Sequence, residues 1–315
     1  MTSEIQILEK EIINPIMAWD KNLEKDFEKF TFSLNHECLK ELKENQNKLL
    51  NQNLIDFKIL NKFIKNLKND VLINGCGFFI INGKELLDFN NEQKKNINIL
   101  ISKIIGKLLE QNKNHELSVE IKDLGKSMKT GARYHHTKEG GSYHTDGSHL
   151  YQNPPEYVGL LCVNPAKEGG NSKFMSAYTI HNKLLSQKNL LEILYQRFHH
   201  DRKNEHLQNE EPTRFEPIFE FRNNKLKFKY QKELIQSGHE KANQPLNEKQ
   251  IQAINFLEEI LQDSSQMVTF ELKKGDMMFS NNGWLIHDRT PFEDHDDEKL
   301  KRFLIRTWIR EPELN

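Results

Sequence analysis

The segment Tyr143-His144-Thr145-Asp146-Gly147 holds residue types that can bind a cation. In an extended backbone, residues i and i+2 lie on one face. His144 and Asp146 therefore point the same way and offer one imidazole nitrogen and one carboxylate oxygen to a single ion. Two donors hold a metal loosely, so a third must come from elsewhere. The run Asn281-Asn282-Gly283-Trp284-Leu285-Ile286-His287 ends in a histidine at the close of a strand-like stretch. The remaining histidines have blander readings. His36, His115, His149, His181, His206, His239 and His295 read as surface or hydrogen-bonded residues. His135-His136 and His199-His200 are adjacent pairs, whose side chains in a strand point to opposite faces and chelate poorly.

Two histidines and one carboxylate make a facial triad, the donor set of non-haem Fe(II) oxygenases. Three protein ligands on one face of an octahedron leave three positions for a bidentate co-substrate and O2. A lone His-x-Asp is common by chance and reads equally well as a strand histidine hydrogen-bonded to an acid. The context after His287 narrows this. Arg302 follows fifteen positions later, and Arg306 four beyond it, in Lys301-Arg302-Phe303-Leu304-Ile305-Arg306-Thr307-Trp308. On a strand the two arginines share a face. Alone they read as surface cations on an edge strand. Beside a facial triad, a buried guanidinium can anchor the distal carboxylate of a 2-oxo acid through a two-pronged hydrogen bond.

These residues need rigid elements. Residues 1 to about 70 read as helical, with Leu50, Leu54, Phe57 and Ile64 near helical spacing. Residues 71–81 read as a buried strand ended by Asn82-Gly83, and 91–110 as a helix with an apolar stripe. Short strands follow at 157–163, 172–175, 218–230 (a hairpin turning at Asn223-Asn224), 267–272, 277–279 and 303–309. Helices are expected at 177–195 and 247–262. Trp284, Trp308, Cys76 and Cys162 read as core, and Gly169-Gly170 as a turn before a strand. Residues 131–136 form a loop that could cover the site, where Arg133 could meet an acidic group. No repeat or linker divides the 315 residues, so one domain is expected.

Composition excludes several classes. Lys+Arg number 45 against 46 Asp+Glu, a net charge of −1, which speaks against a general nucleic-acid binder. No apolar run approaches the roughly 18 residues of a membrane span. The acidic start lacks the order of a secretory signal. Cys38, Cys76 and Cys162 are far apart with no Cys-x-x-Cys, against a disulfide framework or thiolate zinc site. A reducing cytoplasm is the expected compartment.

Taken together, Tyr143–Gly147, Gly169-Gly170-Asn171-Ser172, Gly275-Asp276-Met277-Met278-Phe279, Asn281-Asn282, His287-Asp288-Arg289-Thr290-Pro291-Phe292 and the Arg302–Trp308 run resemble Fe(II)/2-oxoglutarate-dependent oxygenases of the taurine dioxygenase family. The spacing after His287 is most similar to the clavaminate synthase-like branch, and Pro154-Pro155 to γ-butyrobetaine hydroxylase. The resemblance spans about residues 71–310. It implies an α+β chain whose core is a double-stranded β-helix, a cupin-like jelly roll, with flanking helices; residues 1–70, outside the resemblance, are the helical extension that their spacing predicts. It implies that His144, Asp146 and His287 bind Fe(II) and that Arg302 pairs with the C5 carboxylate of 2-oxoglutarate. Ser172 stands where the family usually has a threonine hydroxyl assisting that carboxylate. Arg306 would face the same pocket and help either 2-oxoglutarate or the substrate. Related halogenases have a small residue at the carboxylate position. Asp146 leaves no such vacancy, so hydroxylation or another two-electron oxidation with O2 is expected, releasing succinate and CO2. The expected substrate is a small polar metabolite, amino-acid-like or acidic. The alternatives are a non-catalytic sensor on the same fold and a zinc hydrolase using the same three ligands, which leaves Arg302 unexplained. Oligomeric state stays open.

Overall fold

The computed structural model describes residues 6–112, 114–127, 134–151, 153–206 and 208–312. Arg133, with the first half of the expected covering loop (131–133), lies outside the described residues, and Tyr134–His136 form a 3-10 turn. The N-terminal region is largely helical, as its spacing predicts. A 3-10 helix, Lys21–Lys29, starts at Asp20, whose carboxylate accepts from the Asn22 N–H. The first departure is β1 (Thr31–Phe32), which pairs parallel with Ile80 and Ile81. Helix α1 (His36–Glu44) is capped by Asn35, and α2 (Lys58–Leu67) buries Leu60, Ile64 and Leu67. Leu50 lies exposed in a turn.

The strand expected over 71–81 begins late. A π-helical turn, Lys68–Ile73, continues α2, and only β2 (Phe78–Ile81) is extended. A short apolar run does not distinguish buried helix from buried strand. Gly77 makes the change of direction. Its φ is +87°, and a Cβ there would lie 2.3 Å from the Trp284 ring. Helix α3 (Asn91–Ile105) opens with a capping box between Asn90 and Gln93. It stops at Gly106, which packs against the Arg310 carbonyl, so residues 107–109 form a strand instead of a last helical turn.

That strand is β3 (Lys107–Leu109), and β4 is Ser118–Ile121, β5 Tyr157–Asn164, β6 Glu168–Gly169 and β7 Ser172–Ser176. The helix expected at 177–195 is broken by a 3-10 turn into α4 (Ala177–Leu184) and α5 (Lys188–Leu194). The hairpin β8 (Arg197–Asp201) and β9 (Thr213–Pro217) was not expected, because its polar sequence lacks a clear alternating pattern. The expected hairpin forms as β10 (Phe219–Arg222) and β11 (Lys225–Phe228), with Asn223 and Asn224 both at positive φ, as a tight two-residue turn requires. Helix α6 (Lys232–Lys241), also unexpected, packs Gly238 onto the His199 carbonyl of β8. Helix α7 (Glu248–Leu261) is followed by β12 (Met267–Phe270), β13 (Met277–Asn281), β14 (Leu285–Arg289), β15 (Phe292–Glu293) and β16 (Phe303–Arg310).

The large mixed sheet runs β1-β2-β13-β5-β16-β3, with β4 also on β16. The second sheet is β12-β7-β14. One apolar cluster extends from Trp19 to Ile309 and includes residues of both sheets and of helices from α1 to α7. Side chains of β4, β5, β13 and β16 from one sheet and of β7 and β14 from the other line a common cavity.

Candidate active site

A two-bond bridge sets the first pair of donors. The His144 N–H donates to the His287 carbonyl at 2.9 Å, and the His287 N–H to the His144 carbonyl at 3.0 Å. The two imidazole centroids are 4.4 Å apart. On the other side of the same segment, the Thr145 N–H donates to the Tyr230 carbonyl at 2.9 Å, so the backbone is extended through Thr145. It then turns at Gly147, whose φ of +80° and 2.4 Å approach of a notional Cβ to Pro155 leave room only for glycine. Buried Asn282 holds the corner. Its Oδ1 accepts the Asp146 N–H at 2.8 Å, and its Nδ2 donates to the carbonyls of Asp146 and Pro155.

The result is the shared face expected of His-x-Asp. His144 Nε2 lies 3.8 Å from Asp146 Oδ1. One donor atom each from His144, Asp146 and His287 lies within 4.8 Å of the others. His144 Nδ1 is 2.7 Å from the Ser142 carbonyl. A carbonyl can only accept, so Nδ1 carries a proton, and in the neutral ring this leaves the Nε2 lone pair for a metal. Burial, then the neighbouring His144, pushes His287 down to about 3, which keeps it neutral. Burial opposes the charge on Asp146. Arg306, the two imidazoles and the Trp308 N–H outweigh it and hold the carboxyl well below the usual range. Two imidazoles and one carboxylate, with donor atoms within 4.8 Å of one another, are a donor set that suits Fe(II).

The residues after His287 brace this arrangement. Asp288 alternates to the other face and accepts from Tyr134 Oη (2.6 Å), the Ser142 N–H (3.1 Å) and Lys173 Nζ (2.7 Å). Arg289 donates to the carbonyls of Tyr134, Thr137 and Glu139. Both ties fasten the stretch leading into His144 onto β14.

Arg302, Leu304, Arg306 and Trp308 all line the cavity, as alternation along β16 requires. The register with β5 slips between Phe303 and Leu304, but the extra residue is Val163 on β5, so β16 keeps its own alternation. Arg302 is 6% exposed and lies over the Phe292 ring. Burial, then Arg289, brings it down to about 10, so it stays a cation at neutral pH. No carboxylate among the described residues is hydrogen-bonded to its guanidinium. Ser172 lines the same cavity from β7.

Arg306 also faces the cavity, but its guanidinium is already engaged. Nε donates to Gln111 Oε1 at 2.9 Å, and Nη1 approaches Asp146 Oδ1 and Oδ2 at 3.1 and 3.3 Å. Three site groups escaped the sequence reading. Trp308, expected as core, donates Nε1–H to Asp146 Oδ2 at 2.9 Å. Gln111 binds both the side chain and the carbonyl of Arg306. Glu233 of α6 lines the cavity. Continuing the period-two argument from Arg306 would have found Trp308; no sequence signal marks the other two.

Residues 45–308 match the family described as taurine catabolism dioxygenase TauD, TfdA family. The chain belongs to this family. It is an Fe(II)/2-oxoglutarate-dependent dioxygenase, and the zinc-hydrolase alternative falls away. This TauD/TfdA chain is 24% identical to FR-33289 synthase of Streptomyces rubellomurinus, over 97% of this chain and 92% of that protein. Among solved structures it resembles asparagine oxygenase in complex with Fe(II), 2S,3S-3-hydroxyasparagine and succinate. The TM-score is 0.67 and the identity 14%, over 89% of this chain and 93% of that one. It also resembles the non-haem iron oxygenase OrfP in complex with Fe and alpha-ketoglutaric acid. There the TM-score is 0.62 and the identity 13%, over 90% of this chain and 94% of that one. These two likenesses show the fold.

Proposed function

We propose that this TauD/TfdA-family dioxygenase hydroxylates a small amino-acid-like metabolite, with His144, Asp146 and His287 holding Fe(II). The carrying observation is the convergence of three donor atoms within 4.8 Å on the wall of a cavity of about 370 Å³ that also holds Arg302 and Ser172. That volume suits small molecules. When bound, Fe(II), 2-oxoglutarate and O2 supply a two-electron oxidation in which 2-oxoglutarate leaves as succinate and CO2 and one oxygen atom enters the substrate. The chain's own part is position and exclusion of water. Arg302 takes the C5 carboxylate of 2-oxoglutarate, and the Ser172 hydroxyl donates to it. Val158, Leu160, Phe174, Met278 and Leu304 give the cavity an apolar wall. Arg306 offers its remaining N–H groups to a carboxylate of the substrate or of 2-oxoglutarate.

A zwitterionic substrate matches the charges. Arg306 suits a carboxylate, and Glu233 on the same cavity suits an ammonium. The hydroxyasparagine held by asparagine oxygenase and the (3S)-hydroxy-L-Arg held by OrfP support an amino-acid class. The two sheets facing one cavity support a double-stranded β-helix. The continuous apolar cluster supports one domain over 1–315, with 1–70 packed on the core. No helix among the described residues is long and apolar enough to cross a membrane, and all three cysteines are unpaired and buried, which is compatible with a reducing cytoplasm.

The test is anaerobic titration of apo-protein with Fe(II), then 2-oxoglutarate, followed by succinate release over a panel of amino acids and short acids. A weak visible charge-transfer band should appear with the oxo acid and vanish in His144→Ala and His287→Ala. Full iron-dependent turnover by His144→Ala would overturn the ligand assignment. Absence of succinate release with every panel member, despite the band, would favour a sensor.

A further inference from the structure

We propose that Trp308 is a positioning residue for the metal site: its indole N–H holds one oxygen of Asp146 so that the carboxylate binds iron through the other. This rests on the reading of His144, Asp146 and His287 as the metal ligands.

A facial triad works only if each protein ligand takes one position, because three must stay open for 2-oxoglutarate and O2. Histidine has no choice in this. A carboxylate does, since either or both of its oxygens can bind. Two groups touch the Asp146 oxygens from β16. Arg306 Nη1 lies 3.1 Å from Oδ1 and 3.3 Å from Oδ2, so it barely distinguishes them. Trp308 does distinguish them, donating to Oδ2 alone at 2.9 Å. Oδ1 is the oxygen left on the side of His144 Nε2, at 3.8 Å.

The indole is held so that it cannot drift to the other oxygen. Trp308 is 1% exposed and packs with Leu109 and Val158 in a small cluster of its own. Tyr151 and His149 meet it edge to face, and the Arg306 guanidinium lies over its ring, 4.7 Å from the centroid. Gln111 in turn fixes Arg306 through Nε and through its backbone carbonyl. An indole N–H is a donor only, with no second role to compete. The position also follows from β16, which places Trp308 two residues beyond Arg306 on the cavity face.

Trp308→Phe keeps an apolar ring and removes the donor. Apo-protein is titrated anaerobically with Co(II) and Fe(II), and the visible spectrum of the Co(II) form is recorded, because it reports coordination number. Loss of the N–H should weaken metal binding by roughly 10–100-fold and change the Co(II) spectrum. Leu109→Ala loosens the same cluster but keeps the N–H. It should lower the melting temperature while leaving affinity and spectrum close to wild type. If Trp308→Phe binds within about threefold of wild type with an unchanged spectrum, the proposal is wrong, since outer contacts of this kind are worth more. It is equally wrong if Leu109→Ala weakens binding as much, because packing would then explain the effect. If Trp308→Phe does not fold, benzothienylalanine at position 308 replaces only the N–H by sulfur and carries the same test. His287→Ala separates the two levels. If wild type binds no Co(II), or His287→Ala binds it equally well, the ligand reading fails. If His287→Ala loses the metal and Trp308→Phe does not, only the positioning role fails.

Discussion

Arg302→Ala removes a buried cation that no carboxylate of the described residues neutralises. Arg302 is 6% exposed, and burial already lowers its pKa to about 10. In the empty protein this charge is a cost, so deleting it should leave the melting temperature unchanged or slightly raised. The loss should fall on 2-oxoglutarate binding instead. A buried carboxylate–guanidinium pair broken from one side costs roughly 3–5 kcal/mol, because the remaining charge is stranded. At about 1.4 kcal/mol per tenfold, the 2-oxoglutarate requirement should rise by about two orders of magnitude or more. Arg302→Lys should also be impaired, since a point charge cannot replace a planar fork. The assay is paired: an anaerobic titration of the charge-transfer band gives Kd, and succinate release gives KM. Arg306→Ala is the control. Its contacts with Asp146 predict a loss of metal affinity and of substrate binding, at least as large as any effect on 2-oxoglutarate. A large rise in the 2-oxoglutarate requirement of Arg306→Ala, with a small one in Arg302→Ala, would show that the anchor has been misassigned.

Asp146→Gly should abolish hydroxylation and leave the Trp308 N–H and Arg306 facing the vacated space, where chloride can lodge; undiminished hydroxylation would show that Asp146 is not a ligand. Asn282→Ala removes three hydrogen bonds at the Asp146 corner, for a loss of about 2–4 kcal/mol and a melting temperature lower by roughly 4–10 °C; a wild-type melting curve would refute the clamp. Asp201 is buried, which opposes its charge, but Lys241, the Lys203 N–H and the Ser237 hydroxyl prevail and lower its pKa. Its stabilisation is therefore present above about pH 4 and is lost as pH falls through the lowered folded value. The melting-temperature gap between wild type and Asp201→Asn should close in that acid range, and a gap that does not vary with pH would exclude this linkage.

Legibility in the sequence followed the range of the physics. His144 and Asp146 were legible because two residues of extended chain need only a local rule. Arg302 and Arg306 were legible for the same reason, and Trp308 would have been. The turn at Asn223-Asn224 was legible because two asparagines tolerate positive φ. Tertiary contact decided what was missed. The π-turn at Lys68–Ile73 buries the same apolar residues that a strand would bury. Helix α6 and the β8–β9 hairpin are defined by each other, with Gly238 against His199. Gln111 reaches the site from a loop remote in sequence, and only β16 brings it to Arg306. The bridge between His144 and His287 joins segments 143 positions apart, which no local pattern encodes.

The geometry of β16 bears on which arginine serves which ligand. Arg306 and Trp308 both touch Asp146, so their end of the strand is the metal end of the cavity. Arg302 is four residues away, about 13 Å along an extended strand. A 2-oxoglutarate molecule has four carbon–carbon bonds between its carboxylate carbons, about 5 Å across when zigzag. One end must meet the metal if it is to chelate. Its other carboxylate then lies away from Asp146, and an arginine there must stand off by the co-substrate's length plus its own side chain. Arg302 stands at such a distance, and Arg306, bonded to Asp146 itself, does not. Phe292 beneath Arg302 and Gly170 beside it leave the guanidinium little freedom to fold elsewhere. The strand spacing therefore supports the proposal that Arg302, rather than Arg306, anchors the co-substrate, independently of the residue count from His287.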